Sequence, residues 1–172
     1  VKRFRKPRIF STLKRKISSM RVEDSPLIDF IREEHRFSFG TFYFFDNFII
    51  SEINEGELFD WNKASEVIRV GQEFYGEEGQ INYISNRIHD YAIKPQDWLR
   101  FLYERQLFKT FAVVTYRKTA VYNLVIERFF YKGDIFSFDS LLEAVNFIRE
   151  QNALEPANDF DKLTQLYNDN SL

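Results

Sequence analysis

The chain has 172 residues, of which 44% are hydrophobic, 29% charged and 18% aromatic, with 20 Phe, nine Tyr, two Trp and no Cys. That balance fits one folded domain with a single sizeable core, and excludes a largely disordered chain. Without cysteine there is no disulfide, no thiolate nucleophile and no zinc–thiolate site, and His35 and His89 stand far apart with no spaced companion, so neither a metal nor a cofactor is expected.

The formal net charge of −2 hides an asymmetry. Residues 1–21 carry nine Lys or Arg and no acid, which leaves 15 basic against 26 acidic residues in the remainder. A body that acidic repels nucleic acid and anionic lipid, so nucleic-acid binding is not expected of it. The basic stretch has Ile9, Leu13, Ile17 and Met20 at helical spacing and reads in two ways. One is an amphipathic arm for a membrane surface or nucleic acid. The other, preferred here because the chain opens on Val and the basic composition ends at Met20, places residues 1–19 upstream of the true start, or makes the chain a fragment. No apolar run approaches the ~18 residues of a spanning helix. A cytoplasmic, soluble protein is the expectation.

Residues 22–35 form an acidic lead-in, with Leu27, Ile28 and Ile31 at helical spacing between Ser25 and Glu34. From Phe37 to Phe45 aromatic and β-branched residues alternate at period two, which predicts a strand. Asp46-Asn47, two residues that tolerate positive φ, then lead into a second extended run over Phe48 to Glu55, making a hairpin. Asp60 stands as the N-cap of a helix whose stripe is Ala64, Val67, Ile68, Gly71, Phe74 and Tyr75, closed by Gly76. Ile81 to Asn86 is a short strand. Pro95 opens a helix with Trp98, Leu99, Leu102 and Tyr103 on its buried face.

Phe108 to Tyr116 contains Phe111-Ala112-Val113-Val114, a run typical of a strand covered on both faces. A helix through Ala120, Val121, Leu124, Val125 and Phe129 follows, ending near Gly133, and Ile135 to Phe138 is the last strand. Ser140 and Glu143 have capping-box spacing ahead of Leu141, Ala144, Val145 and Ile148. Residues 152–172 are an acidic tail or peripheral helix. The order predicts an α/β domain over 36–151, with a mixed central sheet of about five strands and helices packed outside.

The pattern resembles the small stand-alone members of the STAS superfamily, bacterial relatives of anti-sigma-factor antagonists whose fold overlaps the CRAL-TRIO lipid-binding fold. Three stretches carry the resemblance: the opening hairpin running through Ile53-Asn54-Glu55-Gly56 to the helix after Asp60; the strand Asn82 to Arg87 with its following loop and helix; and the close Phe136-Ser137-Phe138-Asp139-Ser140-Leu141-Leu142-Glu143-Ala144. The resemblance implies a regulatory, protein-interaction role. The family's best-understood members are switched by phosphorylation of a serine in an Asp-x-Ser motif after the third strand. Here that stretch reads Ser85-Asn86-Arg87-Ile88-His89-Asp90-Tyr91, which lacks the motif.

Ligands of open α/β sheets settle at the carboxyl ends of the strands. That rule nominates Ser85, Asn86, Arg87, His89 and Asp90 after one strand and Thr115, Tyr116, Arg117 and Lys118 after the next. Arg87, Arg117 and Lys118 suit an anionic group near a helix N-terminus, or pair with the body's many acids. Ser85, His89 and Asp90 are the ingredients of a nucleophilic triad without its arrangement, since no Gly-x-Ser-x-Gly elbow holds the serine. Glu52, Glu55 and Glu57 read as a solvated edge charged against association. With six Gly and no P-loop or Gly-x-Gly-x-x-Gly, a phosphate cradle is absent. The expectation is a non-enzymatic domain that docks a protein partner or a second copy of itself, with Arg87 and His89 near the contact. The alternative is a carrier of a small apolar or amphiphilic ligand among its rings.

Overall fold

The computed structural model describes residues 19–77, 81–97, 100, 108–117 and 135–151. Along the chain these form a 3-10 turn (Pro26–Phe30), β1 (Glu33–Phe37), β2 (Gly40–Phe44), β3 (Phe48–Ile53), β4 (Leu58–Phe59) and α1 (Trp61–Tyr75). There follow β5 (Ile81–Arg87), β6 (Ala92–Ile93), a 3-10 turn (Pro95–Asp97), β7 (Phe108–Thr115), β8 (Ile135–Phe138) and α2 (Leu141–Gln151). The six-stranded sheet runs in the order β1-β2-β3-β5-β7-β8, antiparallel through β3 and parallel from β3 onward. It is the mixed α/β sheet expected, with one strand more. Of the helix expected from Pro95 onward, the described residues include the 3-10 turn Pro95–Asp97 and Arg100; its remainder, the expected helix over Ala120–Phe129, and the terminal segments 1–18 and 152–172 lie outside the described residues.

The extra strand comes from the front of the sheet. The aromatic run Phe37 to Phe45, expected as one strand, breaks at Ser38-Phe39 and folds back, so that Phe37 pairs with Gly40. Gly40 also pairs with Ile53, and a Cβ there would stand 2.7 Å from the Glu52 carbonyl oxygen, so the strands approach too closely for any side chain. Upstream, Glu33-Glu34-His35-Arg36 is the edge strand β1 and not the end of a helix. The helical part is one 3-10 turn with Pro26 at its first position, capped by Ser25, whose Oγ accepts from the Leu27 N–H, and it ends at Ile31 in extended conformation. Charged residues suit an exposed sheet edge because they discourage pairing with another chain. At Asp46-Asn47 the expected positive φ is absent, and the turn closes through the Phe45 N–H on the Phe48 carbonyl at 2.9 Å.

The helix signals hold. Asp60 Oδ1 accepts from the Lys63 N–H at 3.1 Å, Gly76 closes α1 at φ 89°, and Ser140 Oγ accepts from the Glu143 N–H at 3.4 Å. Each face of the sheet carries its own core. Against α1 lie Phe39, Phe42, Phe44, Ile49, Ile53 and Phe59. Against α2 lie Tyr43, Phe45, Phe48, Ile50, Ile84 and Val114, joined by Val22 and Leu27 from the lead-in, both wholly buried. Burying two such aliphatic side chains contributes roughly 1.5–3 kcal/mol each, so the lead-in is part of the packed body. Ala112, Val113 and Val114 are fully buried, as a strand covered on both faces requires. Among the described residues no helix is long and apolar enough to cross a membrane.

The Gly40 contact generates a stability test. Gly40→Ala drives its methyl into the β3 backbone, with the Ile53 Cα at 2.9 Å, and is expected to cost about 1–3 kcal/mol in urea denaturation. An unchanged midpoint would show that the two strands separate freely.

Candidate functional site

Between the sheet and α1 the packing leaves a cavity of about 60 Å³. Phe42 and Ile49 reach it from the sheet, Ala64 and Val67 from α1, and Phe59 and Ile93 from the strands β4 and β6. Those two short strands pair in parallel and clasp the loops after β3 and β5, through Ala92 N–H to the Glu57 carbonyl at 2.9 Å and Lys94 N–H to the Phe59 carbonyl at 3.0 Å. The wall is almost wholly rings and aliphatic groups, and the polar side chains at its border are turned to one another. Ser85 Oγ and the Tyr91 hydroxyl lie 2.7 Å apart, and the Tyr83 hydroxyl donates to Ser51 Oγ at 2.7 Å. Burial pushes the Tyr83 phenol well above its ordinary pKa, so it stays protonated across the physiological range.

The residues nominated from sequence separate. Ser85 borders the cavity, while Asn86, its neighbour in β5, belongs to the other face, because successive side chains of a strand alternate. Arg87 is 7% exposed and its guanidinium lies 4.9 Å from the centroid of the Tyr91 ring, close enough for a cation–π contact. His89 has Nδ1 at 3.5 Å from Glu55 Oε2 and Nε2 at 3.4 Å from Arg21 Nη2. Arg117 Nη1 donates to Asp90 Oδ2 at 2.7 Å across an exposed rim. Lys118 lies outside the described residues. Ser85, His89 and Asp90 therefore each hold a different partner, and no relay connects them. Tyr91, absent from the nominated set, is the residue that ties Ser85 and Arg87 together.

Glu52 corrects the reading of the three glutamates as a solvated edge. It is 5% exposed in β3, an interior strand flanked by β2 and β5. Its Oε1 accepts from the Val22 N–H at 2.8 Å and from Asn86 Nδ2 at 2.7 Å. Asn86 Nδ2 also donates to the Met20 carbonyl at 2.9 Å, and the Tyr116 hydroxyl donates to Asn86 Oδ1 at the same distance. Both amide hydrogens and the amide oxygen of Asn86 are thus used. Glu57 pairs with Lys63 at 2.6 Å, and Glu55 Oε2 accepts from the Asp90 N–H at 3.0 Å. Burial raises the Glu52 pKa above the usual carboxylate range, opposed by the hydrogen bonds from Val22 and Asn86 and by Arg21, and assisted by Glu23. Burial likewise raises Tyr43 and Tyr116, the phenols that share its field. Among the described residues no group of three or more His, Asp or Glu side chains stands where it could hold a metal ion.

Two predictions follow from this geometry. Ser85→Ala and Tyr91→Phe each strand one buried hydroxyl and are expected to cost about 1 kcal/mol, whereas the double variant loses less than the sum. Strict additivity in thermal unfolding would mean that the two hydroxyls do not interact. For Glu52, the folded state holds the proton more tightly than the unfolded chain. Stability therefore falls as pH rises through and above the ordinary carboxylate range, then levels off above the raised folded value. Glu52→Gln keeps the acceptor and should remove that slope; an identical pH profile for the variant would assign the slope elsewhere.

No protein-family model matches this chain, and neither a curated protein nor a solved structure matches it.

Proposed function

We propose that this chain is a non-catalytic binding domain that holds a small apolar or amphiphilic molecule between the sheet and α1. The observation that carries the reading is the cavity, whose wall of rings and aliphatic groups is almost wholly apolar. Ligand sites of this type are mostly apolar with a few placed polar groups that fix orientation. The cavity is partly open and its volume is about 60 Å³, small for a ligand site, so the occupant is a short aliphatic chain or the tail of a larger amphiphile. The Ser85 and Tyr91 hydroxyls bond to each other, so the wall they border is apolar and favours an apolar occupant.

A second reading is the STAS-like regulatory domain that docks a protein. It is favoured by the charged rim at the carboxyl end of β5, where Arg21, Glu55, His89, Asp90 and Arg117 gather, each with substantial exposure. The antiparallel start followed by parallel strands also agrees with that fold.

Native mass spectrometry of the protein from its own cells, with NMR titration by 1-butanol and p-cresol, separates the two. Ligand binding predicts a resident small molecule or saturable shifts at Ser85 and Tyr91, weakened about tenfold by Ala64→Val, which places two methyl groups in the cavity. A ligand-free protein with no such shifts removes the first reading and leaves the second.

A further inference from the structure

The cavity beside α1 runs across the sheet and has a closed end and an open one. Phe42 and Ile53, on β2 and β3, line the closed end at 0% and 2% exposure. Ile68 and Gln72 on α1 and Phe108 and Phe111 on β7 line it where exposure is intermediate, so the mouth lies between the helix and the start of β7. A β-bulge shapes that mouth. Ile81 pairs with Phe108 and Asn82 with Thr110, so β7 carries one extra residue, Lys109. Side chains three apart on a regular strand face opposite ways. The bulge turns Phe108 to the same face as Phe111, and both rings pack on Tyr83 with centroids at 5.6 and 5.2 Å.

Gln72 departs from the pairing of polar groups around this cavity. Ser85 bonds to Tyr91 and Tyr83 to Ser51, whereas the Gln72 side-chain amide makes no hydrogen bond among the described residues. The wall is almost wholly apolar although Gln72 is part of it, so the residue lends its carbon stem to the lining and carries its amide at the mouth. No described lining residue is charged, and the charged neighbours of Gln72 on α1, Arg69 and Glu73, pair with each other at 2.5 Å. We propose that the cavity takes an uncharged amphiphile tail first, between α1 and the start of β7, and binds its alcohol or carboxamide head at the Gln72 amide. This rests on the cavity being a ligand site, and adds which way the ligand lies and which head it carries. The amide both donates and accepts, as such a head requires. A charged head would give up water beside rings and aliphatic groups with no opposite charge to meet it.

The test titrates the isotope-labelled full chain with 1-butanol, butyrate, butylammonium and 1-chlorobutane. 1-Butanol should move the Ile49 and Ile81 methyl signals and the Gln72 side-chain amide together, and the two ions should bind about tenfold or more weaker. Gln72→Leu keeps an aliphatic stem without the amide, and should lower the ratio of 1-butanol to 1-chlorobutane affinity about fivefold. An alcohol that binds no better than the two ions, or an unchanged ratio in the variant, overturns the head assignment and leaves a cavity that binds tails. No shift with any of the four compounds removes the ligand-binding reading as well. Should Gln72→Leu not fold, the native amide decides: methyl shifts without an amide shift overturn the proposal.

Discussion

Burial of β3, β5 and β7 on both faces governs the rest of this molecule. A strand covered on one side can send its polar side chains to water; a strand covered on two sides must satisfy nearly all of them inside, and Asn82 Oδ1 in β5 is an exception. Ser51 and Ser85 meet this demand on the α1 face by bonding to Tyr83 and Tyr91, and Glu52 and Asn86 meet it on the α2 face through the main chain of Met20 and Val22 and through Tyr116. The alternation of side chains along the strand divides these groups into two separate networks, back to back through the sheet.

The two networks differ in what completes them. On the α1 face the hydroxyls pair with each other at the border of an apolar cavity, leaving room beside them. On the α2 face the polar groups exceed what neighbouring strands can satisfy, and main-chain atoms of Met20 and Val22 make up the difference. Aromatic rings accommodate both arrangements. Phe39, Phe42 and Phe59 meet edge to face near the mouth of the β1–β2 turn, while Phe45 and Phe48 stack at 4.4 Å beneath the other core. Large flat side chains fill most of each layer but tile imperfectly, and the cavity lies where rings from the sheet meet the short side chains of Ala64 and Val67.

How much of the site was legible in the sequence depends on the reach of each interaction. Asp60, Gly76 and Ser140 act within one turn of their own helices, and the sequence placed all three correctly. Ser85 was nominated from its place near a strand's carboxyl end, and it does border the cavity. Its partner Tyr91 was not, because a loop tyrosine six residues on gives no sign of folding back. Glu52 misled for a related reason. Next to Glu55 and Glu57 it looks like one of a charged group, and only the pairing of β3 with β2 and β5 turns it inward.

The sequence by itself determined the class of structure: an α/β chain, its parallel strands, its two capped helices and the strand buried on both faces, all set by periodicity and by contacts a few residues apart. Tertiary structure alone decided where β1 ends and β2 begins, since the break at Ser38-Phe39 depends on the Ile53 backbone facing Gly40 across the sheet. It likewise decided that Val22 and Glu52, 30 residues apart, meet, and that Ser85 and Asn86 serve opposite faces. Local propensities carry no information about such long-range pairings, which are selected by the cost of leaving buried polar groups unsatisfied and buried space unfilled.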